Sequence, residues 1–219
     1  MKTNTAAVDR MLRKHVSPVM TAAGFTARNA RNACRWSRAL IDVFNVRALG
    51  AQFREVTGWP PGSLVVSLGV YWSFVLRPDA DGLKQDEQGR IEPAEYQCHR
   101  RHSLKRDEPD SRARSLQNAA ERSRRDAWWI EPDASNAETA ALSIAQTIER
   151  VALPWFEREQ DLPSVFSSLK QERDCLAKYE RLMCLAGHLQ MAKEQAHYTE
   201  LFEREGARLG RPFNRVNQT

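Results

Sequence analysis

The clearest pattern in the chain is the alternation of apolar side chains in LVVSLGVYWSFVL, residues 64–76. Every second residue is large and apolar: Leu64, Val66, Leu68, Val70, Trp72, Phe74 and Leu76. Because successive side chains of a β-strand point to opposite faces of the sheet, this pattern predicts a strand with one face in the core. The other face is small and mixed and includes Gly69, so a helix or loop can approach the sheet closely there.

Two segments have the three-and-four spacing of apolar residues that predicts amphipathic helices. The first covers about Thr5–Gly24, with Thr5 as its N-cap. The second covers about residues 136–158 and follows the sequence SNAE, in which Ser135 and Glu138 have the spacing of a capping box. Because Pro154 has no amide donor, this helix is expected to end close to it.

Three short segments rich in Phe, Trp, Val and Ile are predicted strands: Phe25–Arg28, Ala33–Ser37 and Leu40–Val46. We therefore predict an α+β fold, in which an antiparallel sheet of about five strands packs with the N-terminal helix and the helix at about 136–158. Further helical spacing predicts an α-helical hairpin after this domain. The predicted boundaries are 1–160 for the α+β domain, 161–208 for the hairpin and 209–219 for a disordered tail.

The composition is that of a globular protein, with 42% apolar and 28% charged residues. Its four cysteines are widely spaced and form no CxxC pair, which indicates reduced thiols rather than a disulfide framework. The N-terminal residues lack the apolar segment of a secretory signal, and no apolar run reaches the roughly 18 residues of a membrane span. These features predict a cytoplasmic protein that does not associate with membranes.

The segment EYQCHRRHSLKR, residues 95–106, combines a cysteine, two histidines and four basic side chains. If residues 95–103 form a strand, Cys98 and His102 share one face but lie about 13 Å apart, whereas His99 points to the other face. That separation is too long for two ligands of one metal ion. The alternation of faces also keeps His99 away from the Cys98 thiol. The sequence therefore predicts no metal site, no cofactor and no catalytic residue.

The formal net charge is +5, and it is unevenly distributed. Residues 100–125 include nine Lys or Arg and four Asp or Glu, whereas residues 79–95 include six acidic and two basic residues. Basic side chains can contact phosphates while Tyr71, Tyr96, Trp128 or Trp129 stack on bases, which makes nucleic-acid binding one hypothesis. The acidic segment opposes a polyanion, and a solvated surface is the simpler interpretation of both segments.

Five short motifs occur in an order and spacing that resemble one bacterial family: GF (24–25), VSLGVY (66–71), YQCHRR (96–101), DAWW (126–129) and LPWFE (153–157). The family is domain of unknown function 4304, and the resemblance covers about residues 5–158. It implies an α+β domain with a sheet packed against N- and C-terminal helices. By this resemblance, Arg100 and His102 depart from an apolar pattern, and eight residues fall on family positions: Gly69, Cys98, His99, Arg101, Trp128, Trp129, Pro154 and Trp155. The family has no established activity.

Because the sequence contains no catalytic constellation, we expect a non-catalytic binding or protein-interaction domain. A defence or immunity role would fit a small bacterial domain of this kind, but only by analogy. Its partner would be another protein or a second copy of the chain. Nucleic-acid binding is the alternative, and a third hypothesis is an enzyme that uses His99, Arg101 and a carboxylate such as Asp126 or Glu131. The candidate binding residues are Tyr71, His99, Arg101, Asp126, Trp128 and Trp129.

Overall fold

The computed structural model describes residues 4–75 and 82–210, and it confirms the predicted α+β fold class. The helices are α1 (Thr5–Ala22), α2 (Ala51–Thr57), α3 (Ala119–Arg122), α4 (Ala137–Thr147), α5 (Leu153–Gln160), α6 (Leu162–Lys170), α7 (Leu176–His188) and α8 (Ala192–Arg208). The strands are β1 (Thr26–Asn29), β2 (Asn32–Trp36), β3 (Leu40–Ala48), β4 (Leu64–Trp72), β5 (Lys84–Gln85), β6 (Ile91–Glu92), β7 (Arg100–Ser103) and β8 (Ala127–Trp128).

The main sheet is antiparallel, and its strand order is β1-β2-β3-β4-β7. The long strands β3 and β4 pair along their whole length, from Leu40 opposite Trp72 to Ala48 opposite Leu64. The short strand β8 pairs with the beginning of β4, on the same edge as β7. Strands β5 and β6 form a separate hairpin. The prediction of about five antiparallel strands is therefore confirmed.

The alternation along β4 defines the core as predicted. Its core-facing side chains are at most 1% exposed: Leu64, Val66, Leu68, Val70 and Trp72. The strand ends at Trp72, so Phe74 lies in a turn instead of continuing the pattern, and Leu76 lies outside the described residues. Helix α4 covers this face, since Trp128 in β8 pairs with Leu64 and donates a hydrogen bond from Nε1 to Ser143 Oγ of α4 (3.1 Å).

Helix α1 packs against α4 through a stripe of four buried residues: Val8, Leu12, Val16 and Met20. Its N-cap is Asn4, one residue before the predicted Thr5. The predicted capping box at Ser135 is wrong, because α4 begins after Asn136 and has no side-chain cap. The Asn136 side chain instead accepts from the Glu131 amide (2.8 Å) and donates to the Trp129 carbonyl (2.8 Å). Glu138 pairs with Lys14 and His15 of α1.

Helical conformation continues past Pro154 to Gln160, beyond the predicted end near Pro154. The reason is a π-helical turn at Ile148–Ala152, in which the Leu153 amide donates to the Ile148 carbonyl five residues earlier. This wider turn interrupts the regular four-residue hydrogen-bond ladder immediately before the proline. The missing donor of Pro154 is therefore accommodated without breaking the helix.

The described residues form two compact units. The first contains residues 4–73 and 82–156, and the second contains residues 74–75 and 157–210. In the second unit, α7 and α8 form the predicted hairpin, and α6 precedes them. The buried Lys178 ammonium fixes the end of α6 by donating to the carbonyls of Lys170 (2.9 Å) and Glu172 (2.5 Å). Independent folding of residues 1–160 stays a prediction, and the predicted tail lies mostly outside the described residues.

None of the described helices combines the length and the apolar character needed to cross a bilayer.

Candidate functional site

The predicted strand at residues 95–103 is wrong in its first half. Glu95–Gln97 form a 3₁₀ turn, and β7 begins only at Arg100. The turn is favoured by local hydrogen bonds that compete with the sheet ladder: the Cys98 amide donates to the Glu95 carbonyl (3.1 Å), and the Gln97 side chain accepts from the Ala94 amide (2.8 Å). The predicted face assignments of Cys98 and His99 therefore do not hold.

The turn places the Cys98 side chain directly over Gly69 of β4. A Cβ atom at position 69 would lie 2.5 Å from the Cys98 Sγ, so only glycine leaves enough room. The close approach that the sequence predicted at Gly69 is therefore confirmed. Cys98 is buried in a cluster with Cys34, Val43 and Tyr71, and it packs as a small apolar side chain.

His99 and Tyr71 are the two candidate residues that the structure brings together. Their ring centroids are 4.9 Å apart, and the His99 ring also stacks on the Trp72 indole at 5.3 Å. The His99 Nδ1 accepts a hydrogen bond from the Trp72 backbone amide (2.9 Å), which requires an unprotonated Nδ1. Both His99 and Tyr71 are at most 5% exposed, so they support the end of β4 and are not open to a ligand.

The other polar candidates have separate partners. Arg101 forms a bidentate ion pair with Glu95 (2.6 and 3.1 Å), and this hydrogen bonding raises the pKa of the guanidinium. Asp126 accepts from Arg124 (2.7 Å). The arginine and carboxylate of the enzyme hypothesis are therefore each engaged in a different ion pair.

The tryptophans of DAWW are packing residues. Trp128 is 1% exposed and faces α4. Trp129 points to the other side of the sheet, where its ring lies 5.4 Å from the buried Trp59 ring. The Trp128 indole is therefore not available to stack on a base, whereas the Trp129 indole is only partly buried. The fourth stacking candidate, Tyr96, is 71% exposed.

A cleft that the sequence did not predict lies on the face of the sheet opposite α4. Its volume is about 1210 Å³. Strands β1, β2 and β3 form its floor, which includes Asn32, Cys34, Val43, Asn45 and Arg47. Residues 82–97, which we call the arm, form its wall; the arm comprises the β5–β6 hairpin and the 3₁₀ turn that precedes Cys98.

Ion pairs and an indole hydrogen bond attach the arm to the sheet. Glu92 pairs with Arg28 of β1, and Glu95 pairs with Arg101 of β7. Trp36 of β2 donates from Nε1 to the Ile91 carbonyl (2.8 Å). The side chains of Glu92 and Glu95 are only 12% and 14% exposed, so these pairs are screened less than surface pairs. The wall of the cleft is thus fixed by contacts from three strands.

Three asparagine side chains form a hydrogen-bonded chain along the floor. Asn45 Nδ2 donates to Asn32 Oδ1 (2.6 Å), and Asn32 Nδ2 donates to Asn29 Oδ1 (3.0 Å). Each primary amide has two N–H donors and one carbonyl acceptor. The chain therefore retains a second N–H on Asn45 and on Asn32, together with the Oδ1 of Asn45, for hydrogen bonds to a ligand.

The floor of the cleft includes one thiol, that of Cys34. Burial raises the pKa of the Cys34 thiol to about 11, despite the nearby Arg28 guanidinium, so the nucleophilic thiolate is scarce at neutral pH. Within residues 4–75 and 82–210, no group of three or more His, Cys, Asp or Glu side chains is arranged to hold a metal ion.

The cleft residues were missed because their signal is not local. Asn45 lies in the predicted strand Leu40–Val46, but Asn32 lies just outside the predicted strand Ala33–Ser37. In the structure, Asn32 belongs to β2 and is the cross-strand partner of Asn45, which places both side chains on one polar surface. The arm gives no local signal. Its contact with the floor depends on pairs such as Arg28 with Glu92, which lie far apart in the sequence.

Comparison with known proteins adds the family. A family model described as "Domain of unknown function (DUF4304)" matches residues 16–158, about two thirds of the chain. No curated protein and no solved structure matches the chain significantly. The matched residues include the floor of the cleft, the arm and β7. The chain belongs to the DUF4304 family.

Proposed function

We propose that this protein is a non-catalytic binding domain that recognises a segment of another protein in the cleft between the sheet and the arm. The observation that carries this proposal is the size and construction of the cleft. Its volume of about 1210 Å³ exceeds the roughly 300–1,000 Å³ that is usual for small-molecule sites. Its wall is already attached to the sheet, so little ordering free energy is lost on binding.

The polar groups of the first unit support binding rather than catalysis. General acid–base or nucleophilic catalysis needs an activated group within hydrogen-bonding reach of a second catalytic group. Here the Cys34 thiol has a raised pKa, and the Arg101 and Asp126 side chains are held in separate ion pairs. His99 packs between aromatic rings and accepts a backbone hydrogen bond.

The nucleic-acid alternative receives less support from the arginines of residues 100–125. Arg106 pairs with the buried Asp110 (2.6 Å), and Arg124 pairs with Asp126 (2.7 Å). Arg125 donates to the Asp107 carbonyl (3.0 Å). These side chains hold a polar loop together, so the basic count of the segment overstates the positive charge that it offers to phosphates.

A displayed library of random peptides tests whether the cleft binds protein segments. The library is selected against the wild-type protein and against Asn45→Trp, in which a large side chain fills the floor at a partly exposed strand position that tolerates tryptophan. We expect enriched peptides to bind the wild type and to lose binding to Asn45→Trp, while both proteins keep the same circular dichroism. Gln52→Trp, on the exposed surface of α2 away from the cleft lining, is the matched control and should bind like the wild type.

Two results would contradict the proposal. One is that no peptide is enriched on the wild-type protein. The other is that enriched peptides bind Asn45→Trp and the wild type equally, which would locate binding outside the cleft.

A further inference from the structure

We infer that the ligand of the cleft is an extended peptide with acidic side chains, which places its backbone on the asparagine chain and its carboxylates at Arg47 and Lys84. This inference rests on the proposed function and specifies the chemistry of the partner. It depends on how the charges of the cleft are paired, on where the unpaired cations lie, and on the hydrogen-bonding groups of the floor.

Most charges that line the cleft neutralise one another. Three carboxylates of the arm each have an arginine partner: Asp86 with Arg90, Glu92 with Arg28, and Glu95 with Arg101. Two cations that line the cleft, Arg47 and Lys84, are exposed and have no carboxylate partner among residues 4–75 and 82–210. In the same part of the chain, Glu87 is the one lining carboxylate without an arginine or lysine partner. The uncompensated charge of the cleft is therefore positive.

The two unpaired cations lie on different sides of the cleft. Arg47 is two residues beyond Asn45 in β3, so both side chains project from the same face of the floor. Lys84 lies on the wall, where it is the cross-strand partner of Glu92, and Glu92 is tied to Arg28 of β1. A peptide along the floor would meet one cation on the floor and one on the wall.

The asparagine chain suits a peptide backbone. A peptide group offers one N–H donor and one carbonyl acceptor, and Asn45 retains one acceptor and one donor after its bond to Asn32. Addition of a peptide strand to the edge strand β1 is disfavoured, because β1 has four residues and a register irregularity between Ala27 and Asn29. Side-chain amides are therefore the groups that would hold the backbone.

A peptide fits this charge distribution better than a nucleic acid does. Nucleic-acid affinity grows with the number of phosphates that the protein neutralises. The cleft offers two unpaired cations beside several carboxylates, so a closely spaced series of phosphates would meet repulsion as well as attraction. A peptide can place a few carboxylates where the cations lie and neutral residues elsewhere.

Fluorescence polarisation with labelled peptides of equal length tests the inference. The probes are a peptide of glycine residues with two glutamates (the Glu-Gly peptide), the same peptide with two glutamines (Gln-Gly) or two lysines (Lys-Gly) in their place, and single-stranded oligothymidylate. We expect the Glu-Gly peptide to bind about tenfold more tightly than the Gln-Gly peptide, since each exposed ion pair contributes modestly. Double reversal, Arg47→Glu with Lys84→Glu, should weaken Glu-Gly binding by about tenfold or more. Arg54→Glu, which reverses an exposed cation outside the cleft lining, should leave it unchanged.

Other outcomes would overturn the inference. Equal affinity for the three peptides, equal loss of binding in Arg54→Glu, or tighter binding of oligothymidylate would each do so. If library peptides without acidic residues bind the wild type and not Asn45→Trp, the proposed function stands and the preference for acidic peptides is refuted. If no peptide binds in the cleft, both are refuted.

Discussion

Replacing Gly69 with alanine should destabilise the first unit, because Cys98, which follows the arm, leaves no space for the added methyl group. The new Cβ would lie 2.5 Å from Cys98 Sγ and 2.8 Å from Cys98 Cβ. Such overpacking costs about 1–3 kcal/mol, whereas the lower backbone entropy of alanine in the unfolded chain returns about 0.5–1 kcal/mol. The middle of the resulting range is a net loss of about 1 kcal/mol, which corresponds to a decrease in Tm of about 2–4 °C for a chain of this length.

Thermal and urea denaturation followed by circular dichroism measure this loss, and a double-mutant cycle identifies its cause. Cys98→Gly removes both atoms that the new methyl group would meet. When Cys98→Gly is already present, Gly69→Ala should lower the free energy of unfolding much less than it does in the wild type. The difference between the two effects is the coupling free energy, expected to be about 1 kcal/mol. Gly82→Ala is the control, because its nearest atom, Gln97 Nε2, would lie 3.9 Å from the new Cβ.

Two results would refute this account of the packing of Cys98 on Gly69. Gly69→Ala with the stability of the wild type would mean that Cys98 does not pack on β4. Additive effects of the two substitutions would mean that any loss has another origin.

Two further predictions concern the sheet register and one helix contact. Leu68→Asp should abolish soluble folding, because an unpaired buried charge costs several kcal/mol. Ser67→Asp, at a partly exposed position on the cleft face, should still fold. Equal expression and equal melting temperatures of the two variants would contradict the register of β4. Hydrogen bonds from Lys14 and His15 lower the pKa of Glu138 below its ordinary 4.5, so its stabilising effect is present at neutral pH and is lost as the pH falls through the lowered value. The Tm difference between the wild type and Glu138→Gln should therefore be present at neutral pH and shrink as the pH falls below the ordinary Glu value of 4.5, and a difference that does not shrink with falling pH would contradict the pairing.

The parts of the fold that the sequence predicts are those with a repeating local signal. Strand β4 alternates over nine residues, and both its buried face and the close approach at Gly69 follow from that pattern. Residues 95–103 gave the opposite result, because hydrogen bonds of Gln97 and Cys98 within the turn override an apparent alternation. The capping box failed for a similar reason, since Glu138 bonds to α1 instead of its own helix start.

The candidate site could not be predicted from the sequence, because long-range contacts create it. Trp36 and Ile91 are joined by a hydrogen bond, although they are 55 positions apart in the sequence. Arg28 and Glu92 form an ion pair across 64 positions (92 − 28). The six residues chosen from composition and motif lie in the core or in ion pairs. These aromatic and charged residues thus contribute to packing and to ion pairs. Their positions in the sequence did not indicate which residues line the cleft.

The net charge of +5 illustrates why charge has to be assigned after the pairs are known. Counted along the chain, the arginines of residues 100–125 favour a polyanionic ligand. In the structure, several of them are bound to carboxylates, and the buried Asp110 accepts from both Arg106 and Arg112. The unpaired cations of the cleft, Arg47 and Lys84, come from two separate segments that are less basic. Selection in this cleft would therefore depend on where a ligand carries its negative charges more than on how many it carries, which is the property of a peptide motif rather than of a uniform polymer.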